Sequence, residues 1–362
     1  MRALLILVAA AGCGRFGFDD RAASAGDAGG DGGGDAGGDA AADGPSGLQP
    51  RICNPRAVAT LPLAGGVSTV AIRAVALSDR YAIAVETTAV NIWVVELDAT
   101  GAFVAFHQPF TPGYSPLHGM SRLADRPIVG LDVGARYFLK LLDPGWAAYT
   151  TGPSGDPAAV LDPPIAAFPG HTSAAVATLA GGVMRVGVMS ADGQTVTTAS
   201  YQPAGATGGS FAATPSGARV VAALGAGSCE TFFVSPAGTA GPRHTFGPCF
   251  SPTVAALDDT TAMIVHRTSA GGPYAVHAVP ATATDAGATQ PLTGATYARI
   301  TTRAGAYWIG HGGSTSISLR TIAGGVATES TLARPTYPFD FTEREVFWIE
   351  GPVVYAAALC EQ

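Results

Sequence analysis

Ile92-Trp93-Val94-Val95-Glu96-Leu97-Asp98-Ala99-Thr100-Gly101-Ala102-Phe103-Val104 holds the element from which the rest of the chain is built. A run rich in Ile, Trp and Val reads as a strand, Asp-Ala-Thr-Gly as a tight turn, and Phe103-Val104 as the start of a return strand. The same phrase recurs over Tyr137–Trp146, Val186–Val196, Thr231–Gly238, Ala275–Pro280 (with Gly287 in a longer turn) and Ser318–Gly325. Starting from Gly101, the turn glycines Gly145, Gly193, Gly238, Gly287 and Gly324 follow at steps of 44, 48, 45, 49 and 37 residues.

Before each copy lie two further strand candidates, such as Val70–Leu77 with Tyr81–Thr87, or Thr253–Leu257 with Ala262–Arg267. Four strands per period of about 45 residues is the repeat of a propeller blade. No stretch from residue 51 onward offers twelve residues of helical period, so the domain 51–362 is all-β. Six full repeats are followed by a remnant of three strands, Tyr337–Phe341, Val346–Glu350 and Val353–Leu359. Its missing fourth strand is available at the other end, as Ala57–Leu63. The expectation is a seven-bladed β-propeller closed by an N-terminal strand, with six or eight blades as the alternatives. In period and strand order residues 51–362 resemble the broad group of WD-repeat, kelch and TolB-like propellers. No Trp-Asp dipeptide recurs and the kelch glycine pair is irregular, so the resemblance implies a fold and transfers no functional residues.

The N-terminus has a different texture. Met1-Arg2 is followed by the apolar run Ala3–Ala11, then Gly12-Cys13. One basic residue, a short apolar run and small residues make a secretory signal, since a spanning helix needs about 20 apolar residues. Ala10-Ala11-Gly12-Cys13 resembles the lipobox of bacterial lipoproteins, although Ala10 stands where Leu is usual. The resemblance implies that residues 1–12 are removed and that Cys13 carries the lipid, tying the protein to the membrane. Gly14 replaces the Asp that retains such proteins at the inner membrane of enteric bacteria, which points to the outer membrane. Residues 13–50 are mostly Gly, Ala and Asp, with Asp27, Asp31, Asp35, Asp39 and Asp43 four apart. So much glycine opposes a helix, and nothing apolar is there to bury, so the segment reads as a disordered tether. About 35 such residues span roughly 35 Å.

With Cys13 assigned to lipid, four cysteines remain for an oxidising compartment. Cys360 ends the third strand of the remnant blade and Cys53 lies just before its fourth. Cys229 opens the third strand of the fourth blade and Cys249 follows its fourth. Of the three possible pairings, Cys53–Cys360 with Cys229–Cys249 satisfies adjacency at both places.

Net charge is −7, and Asp19–Leu48 holds seven Asp against one Arg. The domain itself is nearly neutral, which argues against nucleic acid as a partner. Chemistry is equally sparse. No Gly-x-Ser-x-Gly elbow marks a nucleophile, and Gly225-Ala226-Gly227 lacks the third glycine of a dinucleotide loop. The seven histidines show no ligand spacing, so neither a metal nor another cofactor is expected. His118, His266 and His311 fall near one rim. Asp258-Asp259 reads as a turn, whereas Asp340, Glu343, Glu345 and Glu350 read as surface pairs beside Arg344. Gly152–Pro164, the longest connection, could bind a ligand. Tyr114, His118, Arg122 and Asp156 would flank its base. The expected function is a monomeric, non-catalytic propeller binding a protein or a glycan. The alternatives are a hydrolase or lyase with its site on the axis, or a subunit of an envelope assembly complex.

Overall fold

The computed structural model describes residues 50–361 except 111–112, 135, 156–159, 164, 171, 194–195, 199–202, 226, 281–288, 314–315, 324–325 and 334–337. The signal, Cys13 and tether readings therefore lie outside the described residues, as does Asp156. Among the described residues every regular element is a strand.

Strand β1 (Pro50–Thr60) precedes the first blade, which comprises β2 (Thr69–Ala76), β3 (Arg80–Thr87), β4 (Ile92–Asp98) and β5 (Phe103–His107). The second blade is β6 (Tyr114–Leu123), β7 (Arg126–Val133), β8 (Arg136–Leu142) and β9 (Tyr149–Gly155). A short β10 (Val160–Leu161) intervenes before the third, β11 (Ile165–Ala167), β12 (Ser173–Ala180), β13 (Val183–Ser190) and β14 (Val196–Thr198). The fourth is β15 (Ala206–Thr214), β16 (Gly217–Leu224), β17 (Ser228–Val234) and β18 (His244–Phe246). The fifth is β19 (Phe250–Ala256), β20 (Thr261–Arg267), β21 (Tyr274–Pro280) and β22 (Gln290–Leu292). The sixth is β23 (Tyr297–Arg303), β24 (Ala306–Gly312), β25 (Ser316–Ala323) and β26 (Val326–Ala333). The last contains β27 (Phe339–Phe341), β28 (Glu345–Glu350) and β29 (Val353–Glu361), and β1 completes it by pairing antiparallel with β29.

The innermost strands touch in ring order: β2, β6, β11, β15, β19, β23, β27 and back to β2. The protein is thus a seven-bladed propeller in which the first and last described strands, β1 and β29, share the final blade. Its apolar core is a series of layers between blades rather than one mass. Ile72, Tyr81 and Ile83 of the first blade share a cluster with Phe347 and Val354 of the last, where Tyr81 meets Phe347 edge-on at 5.7 Å, and Trp308 of the sixth shares one with Trp348 of the last. Each fully buried side chain of this size contributes about 1.5–3 kcal/mol, so the ring is held mainly by these interblade layers.

Turn chemistry follows the sequence at Gly101, Gly193 and Gly238, in the first, third and fourth blades, while Gly287 and Gly324 lie outside the described residues. Gly101 adopts φ 79°, a conformation that glycine takes without penalty, and a Cβ there would collide with the Arg56 guanidinium. In the second blade the left-handed residue is Trp146 (φ 56°) rather than Gly145, with the indole buried and Arg80 over its ring at 5.1 Å.

The closing strand corrects the sequence reading. It begins at Pro50, not Ala57, because an outermost strand tolerates the Pro and the irregularities that an inner one would not. Asn54 sits at φ 53° beside a bulge. Cys53 consequently lies inside the strand, opposite Ala358, while Cys360 faces Arg51. The expected Cys53–Cys360 bond is not formed. The two thiols are unbonded neighbours, and burial together with the adjacent Cys53 pushes the Cys360 thiol up to about 11. The other expected pair is bonded, Cys229 to Cys249, with Cα atoms 5.5 Å apart.

Candidate functional site

The innermost strands surround an axis, and the sequence sets charged residues on three of them: Arg73 on β2, Arg299 on β23 and Asp340 on β27. A fourth charge, Asp162, arrives from the connection between the second and third blades. There β10 lies parallel to the innermost strand of the fourth blade, Val160 opposite Gly208 and Leu161 opposite Gly209. The Asp162 N–H donates to the Gly209 carbonyl at 2.9 Å. A glycine pair within a strand lets another backbone approach closely. Gly152–Pro164 is therefore not an open surface loop throughout. Its first part is β9, and its end returns to the axis.

Asp162 is clasped by two guanidinium groups, Arg73 Nη2 at 2.8 Å and Arg299 Nη2. Arg299 Nε lies 3.6 Å from Asp340 Oδ1, a charge contact too long for a hydrogen bond. Asp340 Oδ2 accepts the Ala74 N–H at 2.9 Å. Arg73 also donates from Nε to the His118 carbonyl at 2.8 Å and from Nη1 to the Tyr297 hydroxyl at 3.3 Å. All four charged residues are less than a tenth exposed. Burial pushes the Asp340 carboxyl up against the pull of Arg299 and Arg73. For Arg299 burial is outweighed by Asp162, Tyr297 and Asp340, which raise it and keep it charged. The Tyr297 hydroxyl is raised by burial.

At the face where the innermost strands begin, this network forms the floor of a pocket of about 280 Å³. Its walls include Ser251, Thr253, Arg267, Tyr274 and Tyr297. Ser251 adopts φ 46° in the bulge of β19 between Phe250 and Thr253, a conformation costing about 1–3 kcal/mol for a non-glycine residue and concentrated at functional sites. Arg267 lies over the Tyr274 ring at 4.8 Å and donates to the Thr296 carbonyl at 3.0 Å. The buried Thr253 hydroxyl has no hydrogen-bond partner.

The sequence-derived candidates are placed differently. Tyr114 and Arg122 occupy opposite ends of β6, eight residues or roughly 26 Å apart, so they do not converge. The Tyr114 hydroxyl is 2.6 Å from that of Tyr149, and both rings flank the Lys140 ammonium, Tyr149 at 4.4 Å and Tyr114 at 5.7 Å. Lys140, the only lysine of the chain, donates to the Thr151 hydroxyl at 2.8 Å, and burial lowers its pKa. His118 borders the axial network through its carbonyl, while its Nε2 sits 3.1 Å from Asp132. Burial raises the Asp132 carboxyl despite His118.

His266 and His311 are buried in separate places, the first beside His277 and Phe246, the second 3.2 Å from Glu329. Asp258 caps its own turn, accepting from Thr260 and Thr261. Asp340 and Glu345 are not the expected surface pairs. Both are buried, Glu345 against Arg56 at 2.6 Å, because neighbouring blades cover both faces here: every residue of β27 and all of β28 but its last are buried. Among the described residues no three His, Cys, Asp or Glu side chains gather as metal ligands would.

No protein-family model matches the chain, and no curated protein matches its sequence. Solved structures do match. The Dos1 propeller aligns with a TM-score of 0.53 at 9% identity, over 86% of this chain and 95% of that one. BamB from Moraxella catarrhalis aligns at 0.50 and 9%, over 86% and 100%. BBS1N, solved in complex with ARL6DN, aligns at 0.53 and 9%, over 86% and 97%. At such identities the likeness is one of fold.

Proposed function

We propose that this chain is a lipid-anchored envelope protein whose propeller binds a partner at the axial face, without turning over a substrate. The observation that carries the reading is how the axial charges are used. Arg73, Asp162, Arg299 and Asp340 are engaged in ion pairs with one another. Among the described residues that line the pocket, no serine or cysteine stands beside a histidine, the arrangement a hydrolase would need. What reaches the pocket is recognition chemistry: guanidinium groups, tyrosine rings and a hydroxyl. A propeller of the same fold, BBS1N, is held in a complex with a protein partner. The Cys13 lipid, the 13–50 tether and an outer-membrane address come from the sequence and belong to the same proposal.

The test uses the full chain in its native envelope. Wild-type protein should incorporate labelled fatty acid and sediment with membranes, and Cys13→Ser should do neither. From detergent extracts the wild type should retain a stoichiometric partner that Arg267→Glu loses. Recovery of the protein alone from both extracts would contradict the binding half, and a soluble, unlabelled wild type the anchoring half.

A further inference from the structure

The axial pocket carries a more specific message, which rests on the binding reading above. Asp162 shows what the floor is shaped to hold: one carboxylate between the guanidinium groups of Arg73 and Arg299. Planar guanidinium groups select carboxylate and phosphate through paired, charge-assisted hydrogen bonds. The chain fills that position itself, yet the pocket remains cationic. Three arginines line it against one aspartate, with Asp340 behind the floor, so one positive charge is left over.

That surplus falls on Arg267. Unlike its two neighbours, it has no carboxylate partner among the described residues. Its guanidinium rests on the Tyr274 ring and gives one hydrogen bond to a carbonyl, so further N–H donors are uncommitted. Thr253 adds a second, independent observation. It lines the same pocket at 8% exposure, and its hydroxyl lacks any partner. A buried hydroxyl left unpaired is destabilising, and a bound acceptor would remove that cost.

We infer that the pocket is an oxyanion site, taking a carboxylate or phosphate group of a small molecule, with Arg267 as its principal contact and Thr253 as a hydroxyl donor. The pocket's 280 Å³ is at the small end for ligand sites, which fits a compact anion rather than a polymer. Asp162 stays in place as the floor and sets the approach by excluding a second anion from the Arg73–Arg299 clasp.

The experiment is a thermal titration of the purified full chain in detergent, with succinate in one arm and inorganic phosphate in the other. Potassium chloride at matched ionic strength serves as the control. A saturable rise of about 2 °C at tenfold excess over Kd is expected for at least one probe; which arm responds identifies the group. Arg267→Gln should weaken that response at least fivefold, and Arg267→Lys should restore part of it. Arg320→Gln, which alters a half-buried arginine paired with Glu329 outside this pocket, should leave it unchanged. A response no larger than that to chloride, or one indifferent to Arg267→Gln, overturns the inference. Because no partner is present in this assay, its failure would leave partner capture from the envelope standing, and the reverse also holds.

Discussion

Arg299 and Lys140 are both buried in this propeller, and the protein handles them in opposite ways. Arg299 on the axis is enclosed by carboxylates, Asp162 and Asp340, contributed by distant parts of the chain. Lys140 in the second blade has rings instead, with Tyr149 at 4.4 Å, Phe138 at 4.7 Å and Tyr114 at 5.7 Å. The consequence shows in their titration, since burial lowers Lys140 while the surrounding anions raise Arg299. A ring face stabilises a cation by about 0.5–2 kcal/mol. A carboxylate at contact in a dry site interacts much more strongly, but removing either member strands the other. The axis is therefore where a single substitution should do most damage, and also where the fold is tied across its own centre.

The largest expected effect follows directly. Arg299→Leu leaves Asp162 with one guanidinium instead of two and Asp340 with none at contact, and should destabilise the protein by about 3–5 kcal/mol. A urea midpoint unchanged from wild type would show that the axial carboxylates do not depend on that charge. Lys140→Met should cost far less, within about 1 kcal/mol, because an apolar chain of similar shape replaces a cation that strands no anion. Equal losses for the two variants would erase the distinction between the sites.

The smallest effect is a pH dependence. Lys140 has a lowered pKa in the folded protein, so between that value and its ordinary 10.5 the unfolded chain binds the proton that the folded one has released. Stability contributed by this group must then rise with pH across that window. Wild type should gain on Lys140→Met as pH is raised from neutral towards about 10. A gap that stays constant would mean that the ammonium is not desolvated.

The blade period was legible because each repeat is local. Strand, turn and return strand follow one another, and Gly101, Gly193 and Gly238 adopt φ of 79°, 75° and 81° at the turns they were expected to make. The Cys229–Cys249 bond was legible for the same reason, being set by a single hairpin. The axial site was not, because its members come from four different parts of the ring and no spacing in sequence connects them. Asp162 is positioned by a two-residue strand whose partner lies 48 residues further on, too short a match for any periodic pattern. Faint signals existed: an arginine inside each of the runs Ala71–Ala76 and Tyr297–Thr302, an aspartate between Phe339 and Phe341, and the glycine pair Gly208-Gly209 within a strand. A charge set between apolar neighbours, in a strand covered on both faces, was the clue to follow. Tyr114 and Arg122 mislead because two residues of one strand need not share a site.

The central claim is that Asp162 and the axial arginines form one coupled unit spanning the ring. A double-mutant cycle of Arg73→Met and Asp162→Asn, read by urea unfolding, tests it most directly. The account predicts a coupling energy above about 1.5 kcal/mol, in the range of residues sharing one ion network. Losses that add to within about 0.5 kcal/mol, as they do for independent sites, would contradict it.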